Sequence, residues 1–201
     1  MGRLAATPPA RGDQVEAEYI HQLIARKAAR YLQTIRERDL LFPGVRELVQ
    51  RLAGQFPLAL VSGALRQEVE FVLARGGLRE AFRVIVTAED VRQGKPHPEG
   101  FLKGLNLLAQ AGTIKPHECM VLEDSVAGVA AAKRAGMFCV AVTNSYPATA
   151  LQLADVIVCG SKFLPDFFAA AASCALTASV PGKAFNAPCQ SLQSRRCLHD
   201  Q

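Results

Sequence analysis

A chain of 201 residues, 50% of them hydrophobic, has the length for one well-buried domain with a small appendage and not for two ordinary domains. Its 23 Lys and Arg against 18 Asp and Glu give a formal charge of +5 and a pI near 9.0, but bases are interleaved with acids, which argues against a nucleic-acid partner. Residues 1–15 lack the apolar core of a secretory signal, and the longest weakly polar run, Phe167 to Val180, is broken by Ser and Thr and too short for a bilayer; the expectation is a soluble, cytoplasmic protein with no membrane partner.

In chain order, Ile20, Leu23, Ile24, Ala28, Tyr31, Leu32 and Ile35 recur at helical spacing, predicting an amphipathic helix over 19–35. A short helix is predicted from Val45 to Leu52. "FPLALVSGA" then reads as a buried strand ended by Ser62 and Gly63. Helix "LRQEVEFVLARGGL" follows, stopped by Gly76 and Gly77. The alternation continues through strand "FRVIVTA", loop "EDVRQGKPHPEG", helix "FLKGLNLLAQAG", strand "CMVL", helix "VAGVAAAKRAG", strand "FCVAVTN" and a short strand "DVIV". Strand and helix alternating at this spacing predict an α/β fold, a Rossmann-like parallel sheet with helices on both faces. Beyond about Phe168 periodicity is lost, and 169–201 reads as a poorly ordered tail. Six cysteines, at 119, 139, 159, 174, 189 and 197, form no C-x-x-C pair and read as thiols, the first three buried, in a reducing compartment.

Ligands of open parallel sheets bind beyond the carboxyl ends of the strands. Ser62-Gly63 follow the first predicted strand, Lys95 lies in the loop after the second, and Glu123-Asp124 follow the third. A hydroxyl, amides beside a glycine, an ammonium and two carboxylates suit a phosphoryl group with a divalent cation, because hard oxygens hold Mg²⁺ while Lys and N–H groups hold phosphoryl oxygens. Singly, each part has a plainer reading: Asp124-Ser125 could cap a helix, Ser62 could be a turn residue, Lys95 a surface lysine in a stiff Pro-rich loop, and His97 is expected to be exposed and idle. The order and strand-end placement favour the combined site. Leu60 and Ala64 stand where a serine-hydrolase elbow needs glycines, and the sequence holds neither G-x-G-x-x-G nor G-x-x-x-x-G-K-[ST].

Through "LALVSGA", "VTAEDVRQGKPHPEGF" and "VLEDSVAGVAAAKRAGM", flanked by "LLFPGVRELVQRLA" and "VAVTNSYP", residues 40 to 165 resemble the haloacid dehalogenase superfamily, in the branch of phosphoglycolate phosphatase and β-phosphoglucomutase. The resemblance implies a Mg²⁺-dependent phosphohydrolase, phosphatase or phosphomutase, acting on a small phosphorylated metabolite. It implies Ser62 and Lys95 as catalytic residues, Ser62, Gly63, Ala64 and Lys95 as phosphate-binding, and Glu123 and Asp124 as ligands of Mg²⁺. It further implies that 1–42 is a remnant of a helical cap, 43–168 the core without its first strand, and 169–201 the tail.

The family's paired aspartates, spaced D-x-D after the first strand, have no counterpart: no two of Asp13, Asp39, Asp90, Asp124, Asp155, Asp166 and Asp200 are separated by one residue. The chain is therefore expected to be truncated or begun at the wrong start, and catalytically impaired. A non-catalytic phosphate- or protein-binding relative and a non-functional fragment stay open as alternatives. With the central strand missing, a gap or a direct pairing is expected between "PLALV" and "CMVL".

Overall fold

The computed structural model describes residues 18–168, except 21, 24, 28–29, 31–32, 34–40, 110–113, 161, 163 and 167. By its contacts the chain divides into units at Met1–Leu40 and Leu41–Gln201. In the first, the helix expected over 19–35 is helical wherever it is described, and Gln22 donates to Glu18 one turn earlier at 3.3 Å. Most of the cap segment expected over 1–42, and the whole of 169–201, lie outside the described residues.

The second unit alternates as the sequence predicts: α1 (Val45–Ala53), β1 (Leu58–Val61), α2 (Arg66–Gly76), β2 (Phe82–Val86), α3 (Glu99–Ala109), β3 (Met120–Glu123), α4 (Val126–Arg134), β4 (Phe138–Val142) and β5 (Val156–Val158). All pairings are parallel. Gly77 ends α2 in the left-handed region at φ 63°, its N–H bonded to the Ala74 carbonyl, a conformation glycine adopts without Cβ strain.

Two layers of helices sandwich the strands because the strands are apolar on both sides. In β4, Val140 and Val142 pack with Leu48 of α1, whereas Cys139 and Ala141 pack with Val129, Ala131 and Ala132 of α4. Successive side chains of a strand point to opposite faces, so two helices are served by one five-residue run. Around β1 and β2, Leu60 and Ile85 join Val69 and Leu73 of α2. On the other face α3 comes close: a Cβ on Gly104 would sit 3.2 Å from a Val61 methyl. Val86, Val129, Val140 and Leu151 are almost fully buried, each contributing on the order of 1.5–3 kcal/mol relative to exposure.

The expected single sheet is divided. β1 pairs with β2 alone, and β3, β4 and β5 form a separate ladder. Among the described residues no hydrogen bonds link β1 to β3, which is the gap expected between those segments; residues 1–15, from which a filling strand could come, lie outside the described residues. The divided halves share an apolar cluster in which Phe101 and Leu105 of α3 meet Val121 of β3, with Val61 packed against it.

One cysteine reading holds in full, one holds as a thiol but not as a buried one, and one is corrected. Cys119 and Cys139 are free thiols, the first half-buried and the second buried. Cys159 is disulfide-bonded; it lies one residue past β5 and half-exposed, outside the apolar interior that the strand reading gave it. Among the described residues no helix is long and apolar enough to cross a membrane.

Candidate active site

Parallel strands bring their carboxyl ends to one edge, and the polar residues cluster there. Ser62 directly follows β1. Its N–H extends the ladder to the Val86 carbonyl at 2.9 Å, and its Oγ accepts the Ala64 N–H at 3.1 Å, leaving the hydroxyl proton to donate elsewhere. Gly63 is exposed with nothing within 4 Å of the position a Cβ would take. The Ala64 N–H is committed to Ser62, so of the residues expected to bind phosphate Ala64 is the one whose donor is already used.

Lys95 crosses the gap between the sheets. Its ammonium donates to the Val61 carbonyl at 3.1 Å, pairs with Glu123, and lies 5.0 Å from the centroid of the Phe101 ring. The loop that presents it has a cis peptide bond between Lys95 and Pro96. Glu99, the first residue of α3, ties that loop back: one carboxylate oxygen accepts the Arg92 N–H at 2.9 Å and the other the Gln93 N–H at 3.0 Å. The Arg92 amide first, with the Gln93 amide behind it, holds the Glu99 carboxyl below the usual range.

Glu123 is the last residue of β3, one position earlier relative to the strand end than the sequence reading put it. Its side chain is 7% exposed, and both oxygens are engaged, one by Lys95 and the other by the Ser125 hydroxyl at 3.0 Å. A Cβ on Gly128 would overlap this carboxylate, so the small residue in the first turn of α4 is what admits it. Ser125, not Asp124, caps α4, its Oγ accepting the Gly128 N–H at 3.0 Å. Asp124 is thus free of the capping role that offered its plainer reading, and its carboxylate instead accepts a hydrogen bond from Ser145 at 2.5 Å.

A cleft of about 230 Å³ opens at this edge, lined by Ser62, Gly63 and Lys95 together with Thr87, Arg92 and His97 among others. Ser62 and Lys95 therefore share one cavity. Glu123 reaches it through Lys95, whereas Ala64, Glu123 and Asp124 do not themselves line it. His97, expected to be idle, is part of the wall. Sequence reasoning also passed over Thr87, Arg92, Glu99 and Ser145; for Glu99 a signal existed, since an acid directly after Pro98 at the start of an apolar-periodic segment is a helix-entry pattern. Thr87 is fully buried and donates through N–H and hydroxyl to Asp90, at 2.7 and 2.8 Å. Those two bonds, the backbone one foremost, hold the Asp90 carboxyl below the usual range.

An open parallel α/β core with a hydroxyl, an ammonium and paired acids at its strand ends is the architecture of a hydrolase class that handles phosphoryl groups. The model of the haloacid dehalogenase-like hydrolases matches residues 3–136, and the chain belongs to that family. It is 39% identical over 116 residues to validoxylamine A 7'-phosphate phosphatase of Streptomyces hygroscopicus subsp. limoneus, covering 57% of this chain and 53% of that protein. To fructose-1-phosphate phosphatase YqaB of Escherichia coli K12 it is 38% identical over 91 residues, 45% of this chain and 46% of the relative. Among solved structures, a putative β-phosphoglucomutase from Thermotoga maritima superposes with a TM-score of 0.56 at 32% identity, covering 63% of this chain and 59% of that one. The chain spans about half the length of these curated relatives.

Proposed function

We propose that this chain carries the phosphate-binding core of a Mg²⁺-dependent phosphohydrolase, of phosphatase or phosphomutase lineage, that recognises a small phosphorylated metabolite. The observation that supports it most is the Lys95 ammonium at the junction of β1 and β3, in one cleft with Ser62. Ser62 Oγ–H and the Gly63 amide donate to phosphoryl oxygens, and Lys95 offsets their charge. Glu123, with both oxygens engaged, fixes the Lys95 ammonium over the cleft.

Among the described residues no group of three or more His, Cys, Asp or Glu is placed to hold a metal. Asp124 fits as one hard oxygen ligand, and Mg²⁺ commonly takes one or two carboxylates and completes its shell with water and substrate phosphate. When bound it would supply charge stabilisation at the phosphoryl oxygens. Glu123, whose oxygens accept from Lys95 and Ser125, would have its remaining lone pairs for a second ligand bond.

The sequence has no D-x-D, so the carboxylate that would attack phosphorus is not provided, and turnover by this chain is expected at background. A binding role without catalysis is the second reading, favoured by the same absence and by the closed Lys95–Glu123 pair. Titration with inorganic phosphate, followed by calorimetry, tests the binding site: saturable binding that Ser62→Ala weakens supports it, and the lack of any binding overturns it. Assays with p-nitrophenyl phosphate and sugar phosphates plus Mg²⁺ test catalysis, where turnover that disappears in Asp124→Asn would refute the background expectation.

A further inference from the structure

Glu123 of β3 stands in register with Ala141 of β4, so Asp124, one residue further, lies beside the carboxyl end of β4. The chain turns there, and the turn is fastened to the next strand. The Thr143 N–H donates to the Val158 carbonyl at 3.1 Å, and Thr143 Oγ1 accepts the Gly160 N–H at 3.2 Å. Inside the turn the Asn144 N–H meets the Val142 carbonyl at 2.9 Å. Two residues past Thr143, the Ser145 hydroxyl donates to Asp124 Oδ2 at 2.5 Å. This bond caps no helix, since α4 is capped by Ser125. Among the described residues the Asp124 carboxylate is in no ion pair, and its Oδ1 accepts no hydrogen bond. Ser145 is exposed and Asp124 half-buried, so the contact also covers little apolar surface. What it does is hold one oxygen of a carboxylate at the strand-end edge.

Resting on the reading of Asp124 as a Mg²⁺ ligand, we infer that Ser145 is a positioning residue for the cation, and that its hydroxyl favours Mg²⁺ over Ca²⁺. The hydroxyl fixes the plane of the Asp124 carboxylate before any ion arrives, which removes part of the ordering cost of binding. A donor also draws electron density from the oxygen it meets, so Oδ2 becomes the weaker ligand and Oδ1 the stronger. A carboxylate biased to one oxygen suits Mg²⁺, which demands near-octahedral geometry and takes carboxylates singly. Ca²⁺ accepts more oxygens in looser arrangements and readily takes both oxygens of one carboxylate, a grip that the Ser145 bond opposes. The two bonds of Thr143 to the β5 end supply the rigidity, because they hold the turn from which Ser145 reaches back.

The test is titration of the full chain with Mn²⁺, free ion being read by electron paramagnetic resonance, followed by displacement with Mg²⁺ and with Ca²⁺. Ser145→Ala is expected to weaken Mn²⁺ and Mg²⁺ binding about tenfold or more, to weaken Ca²⁺ less, and to leave the thermal midpoint of the metal-free chain unchanged. Ser145→Thr, which keeps a hydroxyl, should restore both the affinity and the preference for Mg²⁺. Asp124→Asn should abolish the site. Binding that is the same in Ser145→Ala as in the unaltered chain, while Asp124→Asn abolishes it, overturns the inference. So does an equal loss for Mg²⁺ and Ca²⁺ with a lowered metal-free midpoint, which would make the hydroxyl a structural tie. If the unaltered chain binds no Mn²⁺, or binds it equally after Asp124→Asn, the reading of Asp124 as a ligand is what fails, and the role of Ser145 falls with it.

Discussion

Lys95 and Glu123, 28 residues apart in sequence, form an ion pair at the carboxyl ends of β1 and β3, and the same ammonium donates to the Val61 carbonyl at 3.1 Å. The Glu123 side chain is 7% exposed and that of Lys95 22%, so removing the cation strands a carboxylate with little water. Lys95→Met is expected to lower the stability of the fold by about 3 kcal/mol. Lys95→Met with Glu123→Leu should lose less than Lys95→Met alone, because the stranded charge goes too. Urea denaturation of the single and double variants checks this, and a double variant weaker than the single would show that the pair matters for something other than charge compensation.

Gly128→Ala should run against helix propensity. In a helix interior alanine is ordinarily better than glycine by about 1 kcal/mol, yet here the methyl group would enter the space of the Glu123 carboxylate. That carboxylate is pinned by Lys95 and Ser125, so the expected net effect is destabilisation by about 1–3 kcal/mol. In a Glu123→Ala background the same substitution should become neutral or stabilising. A double-mutant cycle measured by thermal unfolding reports the reversal.

Acid should weaken the fold partly through Asp90 and Glu99. Both carboxyls are held below the usual range by backbone N–H groups, Asp90 chiefly by Thr87 and Glu99 chiefly by Arg92. A depressed folded value means the stabilisation is fully present above the unfolded pKa, near 4, and is lost as pH falls through the lower folded value. Asp90→Asn should therefore flatten the dependence of denaturation midpoint on pH below about pH 4, while the slope above pH 6 stays unchanged. An unaltered acid limb would remove Asp90 from the account.

Cys139 is expected to resist alkylation in the native protein. It is fully buried on β4, and burial foremost, with the Glu123 carboxylate next, pushes its thiol up to about 12, so almost no thiolate is present at neutral pH. Iodoacetamide followed by peptide mass spectrometry should find Cys139 unmodified in the folded chain and modified after denaturation. Native labelling within minutes at pH 7.5 would contradict the packing of α4 on β4.

Continuous apolar runs made the strands legible, and the Gly76-Gly77 pair marked the end of α2 as found. Ser62, Lys95, Glu123 and Asp124 were all legible as polar residues at strand ends. Which of them engage one another was not, because that depends on loop geometry: a reader of "GKPHPEG" cannot see that the lysine reaches past the cleft to β3, or that Glu99 folds the segment back on Arg92. That His97 borders the cleft was hidden for the same reason, since flanking prolines describe a stiff turn but not the cavity it borders. Of the Asp124-Ser125 pair it is Ser125 that caps α4, because its hydroxyl, one residue nearer the helix, meets the Gly128 N–H.

The division of the strands into two ladders has a consequence for how the molecule opens. A β4 amide can exchange with deuterated water only when a strand flanked on both sides, by β3 and β5, is released, whereas β1 and β2 hold only each other within their own ladder. Local opening free energies follow such cooperative blocks rather than the chain as a whole. Native-state hydrogen exchange should thus sort the backbone into two populations, with β4 exchanging only on global unfolding and the β1–β2 pair through a cheaper, partial opening. Dissolving the Lys95 contact would widen the separation between them, because that side chain is a hydrogen-bonded tie from one ladder to the other.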